Sequence, residues 1–225
     1  MTPDFQRDPE SDHRAVVPPL SVELAGLLSE DATHQLTLNQ LLGQTSGRGP
    51  YGLMILLSLP FMVPISLPGV SNLFGGVIVY LAWRLGCGHP PRLPRKLGDH
   101  PVSSGLLARA LRAGVRLLAW VERLVRPRYP RWIQSRSGQV VGAVALALGG
   151  IMLALPLPPT ILLSNFIPAI GVLLVAASMM EEDGLVVWLG YAATIASAIY
   201  LIVMILLHYE LLLRLILSST AWWNS

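Results

Sequence analysis

The stretch that decides the fold class covers residues 51–87 and reads YGLMILLSLPFMVPISLPGVSNLFGGVIVYLAWRLGC. It is apolar but is interrupted in its middle by three prolines and a glycine, at positions 60, 64, 68 and 69. A helix needs about 20 apolar residues to cross the hydrocarbon core of a membrane, so Tyr51–Leu59 is too short and Val70–Leu85 is marginal. Because proline interrupts a helix, and broken backbone at membrane depth must be buried in protein or line a wet cavity, this stretch predicts a re-entrant or discontinuous helical hairpin.

A second apolar block, Val140–Met180, has the same order of features. It is broken by prolines at 156, 158 and 159, and in both blocks the break is followed by a Ser-Asn pair and then by an apolar helix. The pairs are Ser71-Asn72 and Ser164-Asn165. Proline-interrupted segments at matching positions of two halves are typical of transporters with a central site. The two blocks therefore predict an internal repeat.

The segment Leu185–Leu207 contains 23 residues without a formal charge, which is long enough to cross a membrane as one helix. A further short helix is predicted to hold Glu210 and Arg214. The whole chain is 53% hydrophobic and only 13% charged, against roughly 25% charged in soluble domains. Disorder and a coiled coil are excluded, and the single cysteine, Cys87, excludes a disulfide scaffold. The low share of charged residues argues against a soluble globule, which would have too few charges to cover its surface. The predicted fold is an all-α integral membrane protein with two proline-broken, re-entrant-type helical repeats and a C-terminal transmembrane helix.

The basic residues are concentrated in one linker. Residues 92–136 carry eleven of the sixteen basic groups, opposed only by Asp99 and Glu122. Short loops rich in Lys and Arg stay in the cytoplasm, so we expect this linker there. Residues 1–20 are acidic and lack an apolar stretch, which does not fit a signal peptide. The predicted organisation is a polar N-terminal tail (1–36), a first broken-helix repeat (37–91), the basic linker (92–136), a second repeat (137–184), and a transmembrane helix with a C-terminal segment (185–225).

The linker is predicted to contain an amphipathic helix over residues 104–126. Its apolar residues recur at steps of three and four, and a separate stripe holds Arg109, Arg112, Arg116, Arg123 and Arg126. Such a helix suits a membrane surface, where the arginines would lie near anionic headgroups. The alternative is a helix packed on the rest of the protein with a solvated arginine face.

The candidate ligand site consists of Ser71, Asn72, Ser164 and Asn165. These residues can cap helices that begin just after them, the first near Leu73. Two helix N-termini that meet near the membrane midplane could bind an anion or a sugar, whereas simple capping after a proline break is the alternative. The acidic turn Glu181-Glu182-Asp183 could relay protons or be a solvated turn. The five histidines lack the spacing of a metal site, and no catalytic motif is present, so we expect no metal, no cofactor and no enzymatic activity.

Several short motifs occur in an order that resembles the ExoD family of exopolysaccharide-synthesis membrane proteins. They are TLNQLL (37–42), LP (59–60), Pro64, LPG (67–69), PPRLP (90–94), the arginine-rich linker, PLP (156–158), NFIPA (165–169) and DG (183–184). Glu182 departs from the basic residue that the resemblance implies in this last turn. The resemblance covers about residues 36–207 and implies a bacterial inner-membrane protein linked to exopolysaccharide production, without supplying a catalytic residue.

Two functions fit these features. The first is a multi-pass inner-membrane protein that transports or binds an anionic solute or a lipid-linked intermediate, such as a polyprenyl-linked sugar. The second is a non-transporting accessory or scaffold subunit of a polysaccharide synthesis or export complex. Either would have the lipid bilayer as a partner and no nucleic acid, and a chain this small could need a second copy to enclose a pathway. Whether the repeats are parallel or inverted is left open by the sequence.

Overall fold

The computed structural model describes residues 19–22, 25–26, 39, 42, 45, 47–62, 70–90, 92–94, 116, 119, 122–123, 125, 130–155 and 163–223, with backbone alone at 130, 208 and 210–223. This part of the chain contains no β-strand. Its helices with defined bounds are α1 (Gly49–Ser58), a following 3-10 turn (Leu59–Met62), α2 (Val70–Gly86), α3 (Pro130–Gln134), α4 (Arg136–Ala154), α5 (Phe166–Glu181) and α6 (Gly184–Trp223).

The helix boundaries follow the predicted breaks. Each apolar block forms two helices, α1 and α2 in the first and α4 and α5 in the second, and most of the proline-bearing sequence between them lies outside the described residues. The helix predicted near Leu73 begins at Val70, so Ser71 and Asn72 lie in its first turn. The short helix predicted around Glu210 and Arg214 is wrong, because α6 runs on without a break from Gly184 to Trp223.

Two helices are long and apolar enough to cross a membrane, Arg136–Ala154 and Gly184–Leu207. The other apolar helices are shorter: Gly49–Met62, Val70–Gly86 and Phe166–Glu181. The all-helical fold class is therefore confirmed for the described residues. The prediction that Leu185–Leu207 is apolar and helical throughout is also confirmed.

Helices α2 and α4 pack so closely that their backbones touch. A Cβ atom on Gly75 would lie 2.5 Å from the carbonyl oxygen of Gly150 and 2.6 Å from the backbone nitrogen of Ala154. At the other end of the same interface, a Cβ on Gly86 would lie 3.1 Å from that of Ala143. Small residues that let backbones approach are typical of helix packing in membranes, and these contacts make α2 and α4 antiparallel.

Helices α4, α5 and α6 are joined by the same kind of contact. Gly142 and Gly149 of α4 face Met179 and Val172 of α5. Gly171 of α5 faces Thr194 of α6, and Gly190 of α6 faces Val175 of α5. The order of these pairs makes α5 antiparallel to both α4 and α6. The buried residues that pack between the helices form one continuous core.

Both hairpins enter the bundle from the same side. The N-terminus of α1 lies near the C-terminus of α5, since Arg48 interacts electrostatically with Glu181, so α1 runs parallel to α4 and α2 runs parallel to α5. We call the side with Arg48, residues 87–90, α3 and the turn 181–183 the charged end, and the opposite side, near Met62, Val70, Leu155 and Leu163, the tip end. The sequence has no charged residue in 49–83, 137–180 or 184–209, so the tip end of both hairpins is uncharged.

Candidate functional site

The four candidate ligand residues lie at the tip end. Ser71 is buried, Asn72 is exposed, and Ser164 and Asn165 are half-buried. The Ser71 hydroxyl donates to the Asn72 side-chain oxygen at 3.3 Å, and Asn165 precedes α5 without a hydrogen bond from its side chain to the helix. No hydrogen bond between the described atoms joins one pair to the other. Their role as a ligand site therefore stays a prediction.

At the charged end, two hydrogen-bonded pairs attach the N-terminal segment to the linker. The amide of Ser21 donates to a carboxylate oxygen of Glu122 at 2.9 Å, and its hydroxyl donates to the other oxygen. Asn39 pairs with the backbone of Leu93, accepting from its amide at 2.8 Å and donating to its carbonyl at 3.3 Å. The second pair joins the motifs at 37–42 and 90–94 that carried the family resemblance, although they are distant in sequence.

The described part of the linker is in contact with the rest of the protein. Val125 is buried in the common core, and Glu122 holds Ser21. Arg116 and Arg123 are exposed, while Arg109, Arg112 and Arg126 lie outside the described residues. The apolar side of this segment thus contacts the protein at Val125, and its described arginines remain available to an outside partner.

The acidic turn between α5 and α6 is not the plain solvated turn that was one of the two alternatives. Asp183 is only 2% exposed, and its Oδ1 accepts hydrogen bonds from the amides of Leu185 at 2.9 Å and Val186 at 3.3 Å. It therefore caps α6 and satisfies amides that have no partner within the helix. Glu182 adopts the left-handed conformation, with φ of 56°, and accepts from the Gln134 side chain at 2.8 Å.

Glu181 is the third carboxylate of this turn. One of its oxygens is buried and has no hydrogen-bond partner among the described atoms. Burial raises the pKa of Glu181 above its ordinary value, and Arg48 opposes this shift while Glu122 and Glu182 reinforce it. A carboxyl in this setting keeps its proton to a higher pH than an exposed one. A raised pKa is the property that the proton-relay alternative requires of one of these carboxyls.

Arginines anchor the segment that follows α2. The Arg84 guanidinium donates twice to the carbonyl oxygen of Pro90, at 2.9 and 2.7 Å, and once to the Tyr80 hydroxyl at 3.3 Å. Arg136 donates to the Gly86 carbonyl at 3.4 Å and remains exposed. Arg84 thus has a structural role, whereas Arg136 presents most of its charge outward.

An aromatic cluster that the sequence analysis did not identify lies beside this turn. Trp132 stacks on Trp188 with ring centroids 5.8 Å apart, and Trp188 meets Tyr191 edge to face at 5.7 Å. The indole nitrogen of Trp132 and the hydroxyl of Tyr191 are both buried, and they lie close enough to interact with each other as donor and acceptor. The spacing of Trp188 and Tyr191 on one helix face was a signal in the sequence, but nothing in it pointed to Trp132.

Two tryptophans, Trp83 and Trp188, lie at a similar height along the axis of the helix bundle. The glycine contacts between α2, α4, α5 and α6 place Trp83 and Trp188 within about 5 Å of the same height along the bundle axis. Both side chains are exposed. From this level, Val70 lies about 20 Å along α2 and Leu207 about 29 Å along α6, at 1.5 Å per residue.

Among the described residues, no group of three His, Cys, Asp or Glu side chains could hold a metal ion. The charged end offers exposed arginines and a buried carboxyl, that of Glu181. Exposed arginines suit hydrogen bonding to an anionic molecule.

Comparison with known proteins identifies the family. Residues 20–203 match the family described as "Exopolysaccharide synthesis, ExoD". The chain is 32% identical over 185 residues to Protein ExoD of Rhizobium meliloti (strain 1021), covering 82% of this chain and 77% of that protein. It is 26% identical over 158 residues to an uncharacterized protein of Synechocystis sp. (strain ATCC 27184 / PCC 6803 / Kazusa), covering 70% and 73% respectively. No solved structure matches the chain. With a match over most of its length, this chain belongs to the ExoD family, which is linked to exopolysaccharide synthesis.

Proposed function

We propose that the chain is a multi-pass protein of the bacterial inner membrane that binds an anionic, lipid-linked intermediate of exopolysaccharide synthesis at its cytoplasmic face. The observation that carries this proposal is the coincidence, at one end of the bundle, of exposed arginines with exposed tryptophans. Tryptophan is enriched at membrane interfaces, and basic loops stay in the cytoplasm. The charged end is then the cytoplasmic interface, where the phosphate of such a lipid would lie.

The lengths of the helices support this orientation. From the level of Trp188, α6 extends about 29 Å to Leu207, close to the roughly 30 Å of a hydrocarbon core. The hairpins end earlier: Phe166 of α5 lies only about 17 Å beyond this level, estimated from the contacts of α5 with α6. Their uncharged tips therefore stop inside the bilayer, as expected of two parallel re-entrant repeats.

The outer surface of the bundle supports a lipid partner. The face of α4 that begins at the exposed Arg136 continues as an exposed apolar stripe through Val140, Val144, Leu148 and Ile151. These residues follow each other at steps of three and four, so they line one side of the helix. A lipid could place its phosphate near Arg136 and its chain along this stripe.

The close packing of the helices favours a binding protein over a transporter whose pathway runs through a single copy of the chain. The described helices approach each other to backbone contact at Gly75 and Gly150 and at Gly190 and Val175. The hydroxyls of Ser178, Thr194 and Ser197 donate to carbonyls of their own helices. Such packing leaves little room for a solute between these helices, and it equally favours the second candidate, an accessory subunit of a synthesis or export complex.

The test measures retention of a polyprenyl phosphate by the purified full-length protein, by native mass spectrometry from nanodiscs of neutral lipid. Replacing four exposed arginines by glutamine is expected to weaken this binding at least about tenfold, since each basic group near a membrane surface contributes about 1 kcal/mol toward anionic lipid. The positions are Arg116, Arg123, Arg131 and Arg136.

Two controls accompany this experiment. Arg214→Gln, in the C-terminal half of α6, removes a charge from the opposite end and should leave binding unchanged. The uncharged polyprenol should bind the wild type and the four-residue variant equally. If the wild type retains polyprenyl phosphate no better than polyprenol, the binding proposal is wrong and the accessory subunit becomes the better account.

A further inference from the structure

Helix α2 presents a polar side chain to the outside of the bundle far from the charged end. Asn72 is exposed and lies eleven residues before Trp83, which places it about 17 Å along the helix from the level of the tryptophans. The hydrocarbon core of a membrane is roughly 30 Å thick. In the proposed orientation, Asn72 therefore lies near the middle of the bilayer.

The carboxamide of Asn72 is only partly satisfied within the chain. Its oxygen accepts from the Ser71 hydroxyl at 3.3 Å, and its nitrogen donates to none of the described atoms. Lipid tails carry no hydrogen-bonding group, so an amide that faces them stays unsatisfied. Polar side chains of membrane helices face protein and hydrogen-bond across helices. The outward position of Asn72 therefore indicates a protein partner within the membrane.

The same side of α2 allows another helix to approach closely. Gly76 lies one turn from Asn72 and is exposed, and a Cβ atom on it would meet nothing within 4 Å. Leu73 is 54% exposed and adds apolar surface beside these two residues. We call Asn72, Leu73 and Gly76 the outer face of α2. A small residue next to a polar one is the combination through which membrane helices associate.

A second copy of this chain suits the outer face of α2. Two copies in one membrane have the same orientation, so a twofold axis along the membrane normal brings residues of equal depth together. Each Asn72 would then meet the Asn72 of the other copy. A carboxamide carries both donors and an acceptor, so two of them are complementary to each other. Residues 49–83 contain no charge, so identical faces can meet without repulsion.

We propose that two copies of the protein associate in the membrane through the outer face of α2, with the Asn72 carboxamides hydrogen-bonded to each other and the two helices in contact at Gly76. This inference rests on the orientation given in the proposed function, with the tips inside the bilayer, and not on the bound lipid. The charged end lies about 17 Å from Asn72 along α2, so the pairing leaves that end of each copy available to lipid.

The test measures energy transfer between copies of the full-length protein in lipid vesicles at several protein-to-lipid ratios. The exposed Cys87 carries a donor dye in one preparation and an acceptor dye in the other. Asn72→Leu keeps the size of the side chain but removes the carboxamide, and it should weaken association at least about tenfold. Gly76→Leu fills the open space on the outer face and should weaken it similarly. Both variants should keep the helix content of the wild type in circular dichroism.

Two further variants are matched controls. Ser71→Ala removes the contact between Ser71 and Asn72 but keeps the carboxamide, so association should be unchanged. Ile199 is 58% exposed on α6, at a distance from Trp188 that equals the distance of Asn72 from Trp83. Ile199→Ala should therefore leave association unchanged as well.

Energy transfer in the wild type no higher than that of randomly distributed single copies would overturn the pairing, and so would association that survives both Asn72→Leu and Gly76→Leu. An equal loss in Ser71→Ala would contradict the role of the carboxamide. Retention of polyprenyl phosphate separates this proposal from the proposed function. Retention without self-association contradicts only the pairing, whereas the expected pattern of association without retention contradicts only the lipid binding.

Discussion

Replacing Gly75 by alanine is expected to destabilise the protein by about 3 kcal/mol or more, a large effect for one methyl group. The new Cβ would lie 2.5 Å from the Gly150 oxygen and 2.6 Å from the Ala154 nitrogen, both backbone atoms of α4. Neither can move aside as a flexible side chain would, so the two helices must separate. Reversible unfolding of the purified protein in mixed micelles measures the change.

The adjacent glycine gives a matched control for this prediction. A Cβ on Gly76 would meet nothing within 4 Å, so Gly76→Ala should be neutral or should stabilise α2 by up to about 1 kcal/mol through the higher helix propensity of alanine. If Gly75→Ala and Gly76→Ala changed stability by the same amount, the close contact of α2 with α4 would be refuted.

Replacing Asp183 by alanine is expected to lower the free energy of unfolding by about 1–2 kcal/mol, the usual cost of losing a helix N-cap. The substitution leaves the amides of Leu185 and Val186 without the carboxylate that accepts from them. Asp183→Asn keeps an accepting oxygen at this position and should retain most of the stability. The same unfolding measurement, made on both variants, compares them.

Equal losses in Asp183→Ala and Asp183→Asn would contradict the capping role and would indicate that the negative charge matters instead. Glu182 provides a reference within the same turn, since its carboxylate meets the Gln134 side chain at an exposed position. Glu182→Gln is accordingly expected to change stability much less than Asp183→Ala.

The sequence was sufficient to predict the features that depend on local composition. Uninterrupted apolar residues predict α6, and the prolines at 60 and 156 predict where the hairpin helices end. The same reasoning could not show that a side chain is excluded at Gly75 but tolerated at Gly76, because this depends on where α4 packs against α2. It also treated residues 181–183 as one acidic turn, although only the fold makes Asp183 a buried cap.

Contacts between distant segments were beyond prediction from the sequence. Asn39 and Leu93 pair across 54 positions, and each belongs to a short polar or proline-rich motif with no periodicity that points to the other. Trp132 meets Trp188 through the packing of α3 against α6. Sequence patterns report local structure and burial, whereas these pairs depend on how the two hairpins are placed.

The central claim is that both hairpins enter and leave the membrane from the cytoplasmic side, with their tips inside the bilayer. Single cysteines at Asn72, Asn165, His89 and Ser218, in a protein whose Cys87 is replaced by serine, test it by labelling with a membrane-impermeant thiol reagent from each side of oriented vesicles. The account predicts labelling at 89 from the cytoplasmic side, at 218 from the opposite side, and no labelling at 72 or 165 from the opposite side. Strong labelling of 72 and 165 from the same side as 218 would show that the hairpins cross the membrane completely and would contradict it.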